Sequence, residues 1–201
     1  MRRALLTVLV LPLLVACSGA HPSDLVAGHS RVEVGSPDLV AMKKTTEIPD
    51  CPRTSGTSVD GGMPSQTVPC LGGGRSVDLA GLRGPMIVNF WQSYCTPCRK
   101  EMPALAAYAK SHPRVKVVGV DILDTQPGAA LQLARDSEVA YPLVADPAGN
   151  LDGAQPLPHI PGLPFTVFLD ADGTISHVEA GAMETEADVG AAAEKYLGAG
   201  G

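Results

Sequence analysis

The chain has 201 residues, of which 45% are hydrophobic and 18% charged, with a formal net charge of −6. That composition excludes a chain disordered throughout, which needs low hydrophobicity and high charge, and the lack of a Lys/Arg stripe argues against nucleic acid as a partner. The five cysteines include one Cys-x-x-Cys and no second pair at that spacing, which points away from a small disulfide scaffold and from a zinc finger.

Met1-Arg2-Arg3 is a short basic start, and Ala4 to Val15 is an almost unbroken apolar run. At about a dozen residues the run is shorter than the ~20 a spanning helix needs, so residues 1–16 read as a signal peptide. Leu14-Val15-Ala16-Cys17 resembles the lipobox of bacterial lipoproteins. The resemblance implies diacylglyceryl transfer to Cys17, cleavage after Ala16, and a lipid anchor that holds the chain to the cell membrane on its extracytoplasmic side. An ordinary secretory signal with an incidental Cys17 is the alternative. Loss of Arg2 and Arg3 leaves the chain more acidic still, so any membrane tether comes from lipid rather than charge.

Residues 17–50 read as a flexible tether. They hold Pro22, Pro37, Pro49 and several glycines, with no long helical or strand period. A flexible stretch of ~30 residues spans about 30 Å r.m.s., enough to lift a domain off a bilayer. Residues 51–74 form a lead-in that contains Cys51 and Cys70. In an extracytoplasmic space this pair is expected to form a structural disulfide, which on the chain-entropy model stabilises by roughly 3 kcal/mol. Two free thiols, or a second redox-active pair, are the other options.

Residues 75–198 read as one α/β domain. Ser76 to Leu79 is a short strand, and Met86 to Trp91 is an apolar run suited to a buried one. A helix from Thr96 to Ser111 follows, with Leu105, Tyr108 and Ala109 on its apolar face and Pro103 as a kink. Val115 to Val120 is a strand, Gln126 to Glu138 a helix, and Phe165 to Leu169 a strand. Asp170-Ala171-Asp172-Gly173 turns the chain back into an antiparallel strand, Thr174 to Val178. Glu184 to Leu197 closes the domain as a helix, with acids early and Lys195 late, as its dipole favours. The order gives a central mixed β-sheet flanked by helices in three layers.

Cys95-Thr96-Pro97-Cys98 falls where the strand ending at Trp91 turns into the next helix. Free N–H groups and the dipole at a helix N-terminus stabilise a thiolate, which makes Cys95 a nucleophile and leaves Cys98 one turn away to close a disulfide. Pro97 sits in the first turn, where its missing N–H costs little. A structural disulfide or half of a zinc site are the competing uses of such a pair.

Here the chain resembles the thioredoxin superfamily, in particular its TlpA/ResA-like branch of membrane-tethered thiol-disulfide oxidoreductases. The matching residues are Val88-Asn89-Phe90-Trp91, Cys95-Thr96-Pro97-Cys98, Glu101 to Leu105, Tyr141 to Asp146, Gly162-Leu163-Pro164 and Phe168 to Thr174. They cover residues 75–198 in the family's order. The resemblance implies a thioredoxin-like fold and a cis-proline at Pro164 facing the disulfide. It also implies a docking site where the Leu163 backbone pairs with the substrate chain beside Trp91. Thioredoxins proper carry a buried Asp two residues before the Trp; here that place is Asn89, which cannot accept a proton. In the TlpA/ResA branch a Glu three residues after the second Cys does related work, and Glu101 stands there. Burial would raise its pKa and fit it for proton transfer with Cys98; a solvated helix acid is the plain alternative. Phe165 departs from the Thr common after the cis-proline, which bears on the groove beside Leu163.

The remaining polar and aromatic residues take plainer readings: Arg99 and Lys100 as a solvated face, Tyr94 as packing or a cover over the site, His159 as a loop residue, His177 on a strand face. The expected activity is disulfide exchange with cysteine-containing exported proteins and with a membrane or extracytoplasmic redox partner, without cofactor or metal. Copper delivery on the same fold would use a wider cysteine spacing and a His ligand, and a thiol peroxidase would need a Thr/Pro pocket before its cysteine. Gln92-Ser93-Tyr94 does not supply one. The direction of electron flow is not legible in Thr96-Pro97.

Overall fold

A computed structural model describes residues 32–54 and 57–198. Cys17, the signal segment and the tether through residue 31 lie outside the described residues. Among the described residues no helix is long and apolar enough to cross a membrane.

The described chain runs α1 (Pro37–Lys43), β1 (Thr67–Val68), β2 (Val77–Asp78), β3 (Met86–Trp91), α2 (Thr96–Ser111), β4 (Lys116–Ile122), α3 (Pro127–Asp136), β5 (Leu143–Asp146), β6 (Phe165–Leu169), β7 (Ile175–Ala180) and α4 (Glu186–Leu197). β3 sits at the centre of a five-stranded sheet of order β5-β4-β3-β6-β7. It pairs parallel with β4 and antiparallel with β6; β5 continues the parallel half and β7 the antiparallel half. This is the mixed α/β sheet expected from the sequence.

Alternation along β3 sends Ile87, Asn89 and Trp91 to one face and Val88 and Phe90 to the other. Ile87 and Trp91 join a core with Met102 and Leu105 of α2, Leu131 of α3 and Val189 of α4. Val88 and Phe90 join a second core with Val120, Val144, Leu157 and Val167. All four described helices contribute to the first core, while β1, β2, a 3-10 turn at Leu79–Gly81 and the loop around Leu157 cover the second. The helices expected on both faces therefore gather on one. The reason is topological: β3–α2–β4 and β4–α3–β5 step in the same direction along the sheet, and crossovers of one hand then place both helices on the same side.

Two segments differ from their sequence reading. Residues 32–50 are part of the fold rather than tether. α1 starts at an N-cap, Ser36, whose side chain accepts the Leu39 N–H, with Pro37 at its first position. α1 packs on α3, and Val34, Leu39 and Ile48 are buried in the first core. Seven residues are too few to print a helical period. β5 is the second difference, a strand that the sequence pattern does not show. It is four buried residues, and its open side is covered by the lead-in: Leu71 N–H donates to the Leu143 carbonyl at 2.9 Å and Ala145 N–H to the Pro69 carbonyl at 2.9 Å. That cover occupies the outer edge of β5 at Leu143 and Ala145, where an open strand edge would invite pairing with another chain. Cys51 and Cys70 are joined in a disulfide at this edge.

Candidate active site

α2 begins where β3 ends. Cys95 is its N-cap, and the Cys95 sulfur accepts the Cys98 N–H at 3.2 Å. That contact is the thiolate-stabilising geometry expected of a helix start, here occupied by the sulfur of the Cys95–Cys98 disulfide. Cys95 is half-buried and Cys98 is 2% exposed, so one sulfur is open to an incoming chain and the other is shielded. The Cys95 sulfur lies 3.6 Å from the Leu163 carbonyl oxygen, and the Leu163–Pro164 peptide is cis. Residues from two distant stretches, 95–98 and 163–164, thus meet at one point.

The turn before Cys95 is fixed from below. Ser93 N–H donates to Asp124 Oδ2 at 2.7 Å, and Asp124 Oδ1 accepts the Gln126 N–H at 2.7 Å. Tyr94 OH donates to the Leu123 carbonyl at 2.9 Å. Asp121 lies in register with Trp91 across β3 and β4 and is 1% exposed. Burial, and then the negative charge of Asp124, push its carboxyl up to about 9, so it is protonated near neutral pH.

Glu101 is also 1% exposed, on the same side of α2 as Cys98. Its Oε1 accepts the Met183 N–H at 3.0 Å and its Oε2 accepts from Asn89 Nδ2 at 2.8 Å. Asn89 Nδ2 also reaches Thr166 Oγ1 at 3.0 Å. Burial raises the Glu101 pKa to about 7, against the pull of those two donors. The carboxyl can therefore both take and give a proton near neutral pH, the property a proton-transfer partner of a thiol needs. Tyr141, fully buried, is raised as well, by its burial and then by the charge of Glu101.

Trp91 was expected to touch a docked chain. It is 1% exposed and packed in the core with Cys98 and Met102, so it backs the disulfide and offers a docked chain no surface. Tyr94, with packing and a cover over the site as its two readings, is 53% exposed beside Cys95 rather than packed. Phe165 is buried in the second core, edge-on to Phe90 at 6.0 Å, and Leu163 packs against that core. His159 is exposed and pairs with Asp152, and His177 stacks on Tyr196. Arg99 and Lys100 are exposed, with Lys100 reaching Glu184 at 3.7 Å. Among the described residues no three His, Cys, Asp or Glu side chains gather as metal ligands. Met183, Thr166, Asp121 and Asp124 belong to the site by the fold alone or nearly so. Only Asp124 carries a local signal, since an Asp two residues before Gln126-Pro127 suits an Asx turn that leads into α3.

The chain is 35% identical over 105 residues to the thiol:disulfide interchange protein DsbE homolog of Paracoccus denitrificans, covering 51% of this chain and 54% of that protein. It is 32% identical over 115 residues to the thiol-disulfide oxidoreductase ResA of Halalkalibacterium halodurans, 55% of this chain and 62% of that one. The chain thus spans between half and two thirds of the length of these relatives. Among solved structures, it superposes on a secreted Mycobacterium tuberculosis disulfide oxidoreductase homologous to E. coli DsbE with a TM-score of 0.54 at 25% identity, covering 63% of this chain and 96% of that one. The structure of MTB dsbF shares the fold, with a TM-score of 0.59 at 24% identity over 70% of this chain and all of that one. Residues 59–178, more than half of the sequence and with it Cys95, Cys98, Glu101 and the Leu163–Pro164 peptide, match the AhpC/TSA family, and the chain belongs to that family.

Proposed function

We propose that the chain is a thiol-disulfide oxidoreductase that exchanges disulfides with cysteine-containing exported proteins. The observation that carries this reading is the half-buried Cys95 sulfur at the start of α2, hydrogen-bonded by the Cys98 N–H, with the buried Glu101 one turn behind Cys98. In the reducing direction the Cys95 thiolate attacks a substrate disulfide, forming a mixed disulfide and expelling one substrate thiolate. Cys98, losing its proton, attacks the Cys95 sulfur, closes the 95–98 bridge and releases the second substrate thiolate. Glu101 is the buried base that takes the Cys98 proton, and the reverse sequence oxidises a substrate dithiol. The Leu163 backbone beside the cis-proline docks the substrate chain. The names of the DsbE and ResA relatives favour this chemistry.

The same reading places the protein outside the cytoplasm, tethered by acylated Cys17 and served by a membrane or extracytoplasmic redox partner. The signal segment and lipobox support it, as does the secreted neighbour. In detergent-phase partitioning, Cys17→Ala shifts the protein to the aqueous phase; unchanged partitioning removes the lipid anchor from the account.

The activity itself is tested by trapping. Cys98→Ala accumulates mixed disulfides with partner proteins, and Cys95→Ala does not. Equal trapping by both variants, or by neither, contradicts the exchange mechanism.

A further inference from the structure

The Cys51–Cys70 bridge lies at the β5 edge, with β4 between it and the strand that leads to Cys95. Its two sulfurs have different surroundings. Lys43, the last residue of α1, is 7% exposed, and its Nζ donates to the Cys70 sulfur at 3.2 Å. Its other partners are weak: the Gly73 carbonyl at 3.3 Å and Asp50 Oδ1 at 3.9 Å, on a side chain that is 88% exposed. The Cys51 sulfur lies 3.2 Å from the Leu143 carbonyl oxygen.

Neither arrangement suits a closed disulfide. A buried ammonium is costly unless a charge or strong acceptors face it, and a disulfide sulfur is a poor acceptor. Burial accordingly lowers the Lys43 pKa. A carbonyl oxygen facing a disulfide sulfur has no hydrogen to accept. Both arrangements suit the reduced pair. A Cys70 thiolate would face the Lys43 ammonium, and a Cys51 thiol would donate to the Leu143 carbonyl. The glycine run of the lead-in lets α1 approach closely: a Cβ at Gly72 would come within 2.9 Å of Lys43 Cβ, and one at Gly73 within 2.7 Å of Val40 Cγ2.

We propose that Cys51–Cys70 is a second redox site, reduced reversibly by dithiols, in which Cys70 departs as a thiolate held by Lys43 and Cys51 becomes the thiol. This goes beyond the structural staple expected from the sequence, and it does not depend on the chemistry assigned to Cys95. One thiolate of the dithiol attacks the Cys51 sulfur, the 51–70 bond breaks, and its electron pair stays on Cys70. The second thiol of the dithiol then attacks its own sulfur in the mixed disulfide and releases Cys51, which takes up a proton. The dithiol is oxidised to a cyclic disulfide; its two electrons and one proton reside on the protein, and its other proton goes to solvent. Cys51 is 2% and Cys70 1% exposed, so exchange requires local opening of the lead-in. Reduction removes the cross-link between the ends of the segment that covers β5, which makes this cover responsive to the thiol poise of the compartment.

The test uses the full chain equilibrated in dithiothreitol redox buffers, acid-quenched, differentially alkylated and mapped by mass spectrometry on the Cys51 and Cys70 peptides alone. In the wild type the bridge opens and re-forms reversibly. Lys43→Met requires a reduced-to-oxidised dithiothreitol ratio about ten-fold higher for half-reduction, as expected from the loss of one pKa unit's worth of thiolate stabilisation, and Lys43→Arg stays near the wild type. The same half-reduction ratio in wild type and Lys43→Met overturns the proposal, and so does a bridge that cannot be reduced in the folded wild type. If Lys43→Met does not fold, 13Cβ shifts of cysteine in the reduced wild type decide. Cys70 ionising at lower pH than Cys51 supports the assignment, and equal or reversed ionisation overturns it.

Discussion

Asn89 Nδ2 donates to Glu101 Oε2 across 2.8 Å, joining the central strand to the active-site helix where neither side chain sees water. In this chain the carboxyl comes from the helix, and the strand position supplies the group that holds it. A donor to a buried carboxylate favours the charged form, so Asn89 limits how far burial can raise Glu101.

Asn89→Ala therefore raises the Glu101 pKa above about 7. The acid limb of the rate of mixed-disulfide resolution moves up by about one pH unit, since a hydrogen bond to a charged group contributes ~1.5–3 kcal/mol. Stopped-flow rates from pH 5 to 9 read the shift. A profile that does not move shows that Asn89 only packs.

Glu101→Gln has two consequences. Resolution by Cys98 slows about ten-fold to a few hundred-fold, the range for one acid-base group, while circular dichroism stays unchanged. Stability changes in a defined window. The Glu101 pKa rises from 4.5 unfolded to about 7 folded, so the folded state binds more proton between those values. This contribution is fully present below about pH 4.5 and is lost as pH rises through 7. In urea titrations the wild type loses stability relative to Glu101→Gln across that window, on the order of 3 kcal/mol. Parallel stability curves contradict a buried Glu101.

Gly119 makes room for the indole behind the disulfide. A Cβ there would lie 2.5 Å from Leu143 Cδ2 and 2.9 Å from Trp91 Nε1. Gly119→Ala is expected to destabilise by about 1–3 kcal/mol through overpacking. Trp91 is the chain's one tryptophan, so its fluorescence reports the displacement directly. An unchanged spectrum and melting temperature would show that the cleft has slack.

What could be read from the sequence depended on how local the cause was. β3, α2 and β6 fall on the boundaries expected, because an apolar run, a Cys-Thr-Pro-Cys cap and a short hydrophobic strand are set by neighbouring residues. α4 starts two residues later than expected, at a Thr185–Asp188 capping box that was not read. α1 escaped notice because its one buried stripe is Leu39 and Lys43, and a lysine does not announce burial. Glu101 could be proposed from its position after Cys98, but its partners could not. Met183 lies 82 residues away in sequence and Thr166 lies 77 residues from Asn89, and only the folded sheet brings them together. Trp91 shows the opposite failure: a resemblance suggested a surface role, and packing against Gly119 put the ring in the core.

The central claim is that Cys95, at the N-terminus of α2, is the nucleophile and Cys98 the shielded resolving thiol. The most direct test is to reduce the protein, alkylate it with limiting iodoacetamide at pH 7, and quantify the Cys95 and Cys98 peptides by mass spectrometry. The account predicts that Cys95 is modified at least about ten-fold faster than Cys98, as a thiolate stabilised by the helix start beside a buried thiol. Equal rates, or faster modification of Cys98, would contradict it.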